Sequence, residues 1–155
     1  MPLRRKLQTL RSLGLHGAAW LGEAFLLSTF VRVGFRILGV PRTQTCLEYW
    51  GSEPDHRALH VDLDRTIGLA QHSILLTRRI LPGTCLSRSL VLWALLRRRG
   101  VMAELRVGFR RREGKMEGHS WVELEGVPLN ETMESVLTYH PSSAKFVADP
   151  QKHAK

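Results

Sequence analysis

The sequence predicts an α+β fold in which apolar helices precede an antiparallel sheet. Hydrophobic residues recur at helical spacing in the N-terminal part of the chain, and they alternate with other residues from Val101 onward. The chain has 155 residues, of which 43% are hydrophobic, and this is enough for one domain with a real core. Helices followed by paired strands are typical of the α+β class.

An apolar segment lies near the N-terminus, in residues 13–30. It has about the minimum length for a membrane span, but it contains His16 and Glu23, and an ionised glutamate in mid-bilayer costs roughly 2.5 to 3.5 kcal/mol. No clear small-residue cleavage site precedes Glu23, which disfavours a cleaved signal peptide. We therefore predict one or two apolar helices in residues 1–41 and a cytoplasmic protein, with contact with a membrane surface as the alternative.

Turn-forming residues divide the next part of the chain. Gly39 and Pro41 are expected to close the N-terminal helices, and residues 42–61 are predicted to form an irregular connector. An aspartate at position 62 or 64 then caps a helix that continues to about Leu81. The apolar positions of this helix are Leu63, Ile67, Ala70 and Ile74.

A second helix is predicted after the Pro82-Gly83 break. It begins around Thr84 and Cys85 and stops at Gly100, a residue type that favours helix C-termini. Apolar residues surround this helix almost completely, so we expect it to be central and buried. The stripe consists of Leu86, Leu90, Trp93 and Ala94, and it is widened by Val91, Leu92, Leu95 and Leu96.

Strands are predicted after Gly100. Val101 to Phe109 alternate as on a strand with one core face, and residues 110–118 are predicted to form a polar loop. The segment that follows is predicted to be a hairpin turned at Glu125-Gly126. We divide the chain into an N-terminal helical region (residues 1–41), a core (residues 42–140) and a loose tail (residues 141–155).

Basic residues outnumber acidic ones, with 23 Lys+Arg against 14 Asp+Glu and a formal charge of +9. Arginine favours bidentate contact with carboxylate or phosphate, so clustered arginines predict a docking surface if they share a face. Solubilising charges and favourable charges at a helix C-terminus are the alternative interpretation. One cluster lies in the first 45 residues, and the second consists of Arg97, Arg98, Arg99, Arg106, Arg110, Arg111 and Arg112.

Cys85 is the candidate nucleophile. It is predicted to lie in the first turn of a helix, where free backbone N–H groups and the helix dipole favour the thiolate over the thiol. The same N–H groups can hold an oxyanion, and Arg88, one turn further, adds positive potential if it faces the same side. A small buried core residue is the alternative for Cys85, and Cys46, in the predicted connector, is interpreted as a structural or incidental thiol.

His119 is the candidate general base, because it begins a predicted strand after Gly118. With a two-residue turn at 125–126, Asn130 falls on the same face as His119 and is the preferred orienting residue. A slip of one residue would place Glu131 there instead, so Glu131 is the close rival. Trp121 is predicted either to form a wall of a substrate groove or to be a core aromatic residue.

The segment from Leu81 to Glu131 resembles the transglutaminase-like cysteine peptidase of lasso-peptide biosynthesis, the leader peptidase that forms the second half of split B proteins. The resemblance rests on Cys-Leu-Ser-Arg-Ser-Leu and His-Ser-Trp-Val-Glu, in this order and at this separation. It implies a papain-like or transglutaminase-like fold with Cys85 as nucleophile and His119 as general base. The third residue of that family is usually an aspartate after the histidine strand, where this chain has Leu-Asn-Glu, so Asn130 and Glu131 both remain candidates.

The resemblance also implies a reaction and partners. The enzyme would remove the leader from a ribosomally made precursor peptide, which a small leader-binding carrier protein delivers. A cyclase resembling asparagine synthetase would then close the macrolactam ring. No metal or cofactor is implied, and no Cys/His spacing in the sequence suits a zinc site. The arginine clusters, including Arg110, Arg111 and Arg112, would dock the leader or its carrier.

Two other classes of function are weighed against the enzyme. A non-catalytic assembly factor at a membrane surface would use the apolar N-terminal helices. A nucleic-acid-binding module would use the arginines, but the sequence has no basic strand with interleaved aromatic residues and no recognition-helix pattern. We therefore expect no nucleic-acid partner.

Overall fold

The computed structural model describes residues 14–52 and 63–142. In chain order the elements are α1 (Gly14–Ile37), α2 (Gly39–Ser52), α3 (Leu63–Ile80), α4 (Cys85–Arg98), β1 (Glu104–Arg112), β2 (Lys115–Leu124), β3 (Val127–Pro128), α5 (Met133–Leu137) and β4 (His140–Pro141). The predicted α+β fold, with apolar helices before an antiparallel sheet, is confirmed.

Helix α4 is the centre of the fold. It packs against α1, α2 and α3 on one side and against β1 and β2 on the other. Every residue from Ser89 to Leu96 is buried, which confirms the prediction of a central buried helix. Gly100 has a φ of +77°, a left-handed conformation that suits glycine, and it ends the helix region as predicted.

The sheet is antiparallel, with the strand order β3-β2-β1-β4. Two Glu-Gly pairs with positive φ values, Glu113-Gly114 and Glu125-Gly126, form its tight turns. The predicted turn at Glu125-Gly126 is confirmed by the pairing of Leu124 with Val127. The predicted loop over residues 110–118 is wrong, because β1 and β2 run directly into the first Glu-Gly turn.

Helix α2 lies where the sequence predicted part of an irregular connector. Gly39, with a φ of +77°, separates α1 from α2, so it does end the first helix. Pro41, however, lies in the first turn of α2, where a missing N–H breaks no helical hydrogen bond. The buried side chains of Thr43 and Leu47 attach α2 to the core. Residues 53–61 of the predicted connector lie outside the described residues.

Helix α3 confirms the predicted helix within a residue or two at each end. Its buried side differs from the predicted stripe, since Leu63 is exposed and Ile67 and Ile74 are only partly buried. The fully buried positions carry short side chains instead, on a helix that packs against both α1 and α4. These buried residues are Thr66, Ala70, Ser73 and Thr77.

The C-terminal part of the described chain returns to the sheet. His140 and Pro141 form β4, which pairs with Phe109 and Gly108 of β1. The predicted tail therefore begins with a paired residue at 141, and residues 143–155 lie outside the described part of the structure.

Among the described helices, α1 alone is long and apolar enough to cross a membrane, over Gly17–Ile37. It is nevertheless part of the domain, since Trp20, Ala24 and Val31 are buried in the core. A single helix of this kind near an N-terminus is weak evidence for membrane association.

Candidate functional site

Cys85 is the first residue of α4 and is partly buried. Thr84 caps the helix, and its hydroxyl accepts a hydrogen bond from the Ser87 N–H at 3.2 Å. The loop before the cap is attached to α1, because Arg32 Nη1 donates to the Pro82 carbonyl oxygen at 3.1 Å. The structure therefore places Cys85 in the first turn of a helix, as predicted.

His119 lies on β2 and contacts a carboxylate. Its Nε2 atom is 3.0 Å from Glu131 Oε1, and the two side chains are 17% and 26% exposed. Nε2 is thereby engaged, and Nδ1 is the ring nitrogen left for a second proton-transfer partner. A half-buried carboxylate in this position fixes both the orientation and the tautomer of the imidazole.

The contact with His119 is made by Glu131 and not by Asn130, the residue that the predicted register favoured. Asn130 Oδ1 accepts from the Val122 N–H at 2.8 Å, and Asn130 Nδ2 donates to Ser89 Oγ at 3.1 Å. The turn was predicted correctly, but β3 ends at Pro128, and the side chain of Asn130 replaces the next backbone partner. This early end brings Glu131 to the imidazole.

Gln71 of α3 holds the chain at this point, because its amide donates to the carbonyl oxygen of Leu129. That carbonyl group is therefore bonded to a helix side chain, while the Leu129 N–H still donates to the Val122 carbonyl oxygen at 2.8 Å. Strand β3 ends at Pro128, directly before the residue whose carbonyl group is bonded to α3.

A buried hydrogen bond joins the nucleophile's helix to the histidine's strand. Ser89 Oγ donates to the carbonyl oxygen of Ser120 at 2.9 Å, and Ser120 directly follows His119. Cys85 precedes Ser89 by four residues, so it lies on the same helix face about 6 Å closer to the N-terminus. No hydrogen bond between the Cys85 thiol and the His119 imidazole occurs among the described residues. In sites without substrate such contacts are often loose.

Aromatic rings support the imidazole. The His119 ring stacks on Tyr139 with centroids 5.1 Å apart and on Trp121 with centroids 6.3 Å apart. Trp121 is only 3% exposed and lies beside the imidazole. Its burial favours the alternative of a core aromatic residue, and its place in a substrate groove stays a prediction. Its indole N–H donates to Glu123 Oε1 at 2.6 Å.

Gly108 makes room for these rings. It lies opposite His119 in the β1–β2 register. A Cβ atom at this position would be 2.8 Å from the Trp121 ring and 2.9 Å from Tyr139 Cβ, closer than real Cβ contacts allow. Glycine at position 108 is therefore required for the packing of the Trp121 and Tyr139 rings around His119.

The predicted arginine docking surface is divided by the fold. Arg97, Arg98 and Arg99 lie at the C-terminal end of α4, while Arg106 and Arg110 lie on β1. Arg98 and Arg99 cover the rings of two tryptophans, Trp50 and Trp20. Arg106 pairs with Glu104 and Glu123, and Arg110 pairs with Glu117 and covers Tyr139. Only Arg111 and Arg112, at the β1–β2 turn, remain as exposed members without a carboxylate partner in the described part of the chain.

Two neighbouring cavities lie beside the start of α4. The first has a volume of about 230 Å³ and lies between α1, α3 and the residues around Thr84. The second has a volume of about 440 Å³ and reaches Asn130 and Glu131. Both are lined by Ile74, Arg78 and Arg88. A role of Arg88 in substrate binding stays a prediction.

Two residues of this site, Gly108 and Tyr139, were missed in the sequence. Gly108 had a signal, because the Glu113-Gly114 pair has the same turn composition as Glu125-Gly126 and fixes the register opposite His119. Tyr139 had none, since it follows a helix of one turn and precedes a two-residue strand. Among the described residues no cluster of His, Cys, Asp and Glu that could hold a metal ion occurs.

The arrangement provides a thiol at a helix N-terminus and an imidazole oriented by a carboxylate. These groups are those of nucleophilic acyl transfer. Comparison with curated proteins and with solved structures gave no match. A family model described as the transglutaminase-like superfamily matches residues 31–144, which is well over half of the chain and includes Cys85, His119 and Glu131. The chain therefore belongs to the transglutaminase-like superfamily, in agreement with its α+β fold.

Proposed function

We propose that the protein is a cysteine peptidase that acts by acyl transfer to Cys85. The observation that carries the proposal is the contact between His119 Nε2 and Glu131 Oε1, beside a helix that begins at Cys85. The superfamily commonly includes cysteine peptidases, which is consistent with this chemistry.

In the proposed first step the Cys85 sulfur attacks the carbonyl carbon of the scissile amide. The thiol proton passes to His119 Nδ1, and the backbone N–H groups of the first turn of α4 stabilise the oxyanion. The C–N bond then breaks, and the leaving amine takes the proton from His119. Water, deprotonated by the same imidazole, hydrolyses the thioester and releases the acid and the free thiol.

Glu131 is the proposed orienting residue. Its carboxylate stabilises the imidazolium that forms when the thiol loses its proton. Asn130 is proposed to act indirectly, because its hydrogen bonds to Ser89 and to the Val122 N–H fix the chain that carries Glu131.

The finer proposal is that the substrate is the leader region of a ribosomally made lasso precursor. It is supported by the Cys-Leu-Ser-Arg-Ser-Leu and His-Ser-Trp-Val-Glu segments, which resemble those of leader peptidases. The proposed partners are the precursor, a small leader-binding carrier protein and an asparagine-synthetase-like cyclase. Exposed Arg111 and Arg112 are the arginines that remain as candidates for docking the carrier.

The test compares Cys85→Ala with wild type and with Cys46→Ala, using precursor peptide with carrier protein and mass spectrometry of the products. We expect Cys85→Ala to release no leader and Cys46→Ala, which removes an exposed thiol on α2, to act like wild type. Cleavage by Cys85→Ala at the wild-type rate would sink the proposal.

The product mass also separates hydrolysis from a related outcome. If an amine instead of water attacks the thioester, the product is an amide-linked peptide. Its mass is that of the hydrolysed acid plus the amine, minus one water. A non-catalytic assembly factor would give neither product, although it would still bind the precursor or the carrier.

A further inference from the structure

The first cavity beside α4 is unusual in its charge. Three arginines from three elements line it, namely Arg32 of α1, Arg78 of α3 and Arg88 of α4. None of the described residues that line this cavity is acidic. Since Thr84 also lines it, the cavity reaches the residue next to Cys85.

These three arginines have few internal partners. Arg32 donates to the Pro82 carbonyl oxygen at 3.1 Å, and Arg88 Nε donates to the Thr84 carbonyl oxygen at 3.4 Å, near the limit of a hydrogen bond. Arg78 forms no hydrogen bond or ion pair within the described ranges. By contrast, arginines elsewhere in the fold, such as Arg99, form ion pairs with glutamates.

Three like charges around one small cavity repel one another, and an anion that enters the cavity relieves this repulsion. A carboxylate matches the fork of a guanidinium group and forms charge-assisted hydrogen bonds with it. The apolar side chains of Phe35, Ile74 and Leu81 line the same cavity and suit the methylene groups of a glutamate or aspartate.

The second cavity is less suited to an anion. It shares Arg78 and Arg88 with the first cavity but lacks Arg32, and it is also lined by Glu131, whose carboxylate would repel a carboxylate of the substrate. A peptide that passes through both cavities would therefore place its acidic side chain in the first one, with the scissile bond near the start of α4.

We propose that the first cavity is a specificity subsite for an acidic side chain of the peptide substrate, held by Arg78 and Arg88 with Arg32 at its edge. The inference rests on the proposed function, because it takes the ligand to be the peptide that Cys85 attacks. It names the class of substrate as a peptide with a carboxylate close to the scissile bond.

The test uses binding to the full chain carrying Cys85→Ala, so that no turnover is needed. Two dye-labelled hexapeptides, identical except for one central glutamate or glutamine, are titrated by fluorescence anisotropy. We expect the glutamate peptide to bind at least about tenfold more tightly, as for a charge-assisted contact. Adding Arg78→Gln and Arg88→Gln should bring this ratio close to one. Arg79→Gln is the matched control, because Arg79 is the exposed neighbour that lines neither cavity.

Equal binding of the two peptides to the unaltered cavity would overturn the proposal, and this arm does not depend on how well the arginine variants fold. Loss of the ratio with Arg79→Gln alone would also overturn it. Full displacement of the glutamate peptide by an equally charged single-stranded oligonucleotide would assign the cavity to phosphate instead. Absence of peptide cleavage by wild type would contradict the proposed function and leave the measured charge preference intact, so the two failures are distinguishable.

Discussion

The two ends of α4 carry arginines in opposite situations. At the C-terminal end, Arg99 forms an ion pair with Glu23 and places its Cζ atom 3.4 Å from the centroid of the Trp20 ring. At the N-terminal end, Arg88 has one long hydrogen bond to the Thr84 carbonyl oxygen and no carboxylate partner among the described residues. The same side chain is structural at one end and uncompensated at the other.

The helix dipole makes this difference larger. Cations are favoured at the C-terminal end of a helix, where Arg97, Arg98 and Arg99 lie, and are disfavoured near the N-terminal end, where Arg88 lies. Arg88 therefore adds positive potential where it costs stability, and where it would favour the thiolate in the proposed role of Cys85. The net charge of +9 hides this contrast, because it counts both ends equally.

The largest effect on activity is expected from Glu131→Gln, in the candidate site beside the N-terminal end of α4. The amide cannot stabilise the imidazolium, so kcat should fall by about 10²- to 10⁴-fold while the chain remains folded. The measurement is single-turnover cleavage together with a thermal unfolding curve. Glu134→Gln, in the exposed first turn of α5, is the matched control and should leave kcat unchanged. A variant of Glu131 with wild-type kcat would remove this residue from the proposed mechanism.

The next effect is expected at the C-terminal end. Arg99→Gln removes a cation–π contact and a partly buried ion pair, and it should lower the free energy of unfolding by about 1 to 2 kcal/mol. Arg88→Gln should change it by less than about 0.5 kcal/mol, because only one long hydrogen bond, to the Thr84 carbonyl oxygen, is lost. Urea unfolding of both variants checks the order. If Arg88→Gln were the more destabilising of the two, the contrast between the ends of α4 would be wrong.

The smallest effect on stability is expected far from both ends of α4, at the β1–β2 turn. Arg111→Glu with Arg112→Glu should leave the free energy of unfolding within about 0.5 kcal/mol of wild type, because both side chains are exposed. If these residues dock a carrier, turnover of carrier-bound precursor should fall roughly two- to tenfold at low salt. At moderate salt the fall should be smaller, because salt screens exposed charges. Unchanged kinetics at both salt concentrations would contradict this docking role.

Periodicity and turn chemistry predicted most of the fold. The apolar stripe of α4, the alternation from Val101 and the Glu125-Gly126 turn led directly to the helix, the strand and the hairpin that the structure has. Helix α2 was missed because Gly39 and Pro41 are helix-breaking residue types, and their positions at the start of a helix are only seen in the folded chain.

The candidate site was predicted less completely, for a physical reason. The positions of Cys85 and His119 depend on local pattern, and the structure has them at a helix start and on a strand as expected, while their catalytic roles stay predictions. The choice between Asn130 and Glu131 depends on where β3 leaves the sheet. That point is set by a hydrogen bond from Gln71 on α3, which is distant in sequence and carries no local signal.

Helix α1 shows that the start of the family match and the start of the packed domain are different positions in the chain. The match to the superfamily begins at residue 31, which lies inside helix α1. Trp20 and Glu23 lie before that point, yet they hold Arg99 at the C-terminal end of α4. The segment that matches the family is therefore smaller than the packed domain, and a chain shortened to residues 31–144 would lose Trp20 and Glu23, the partners of Arg99.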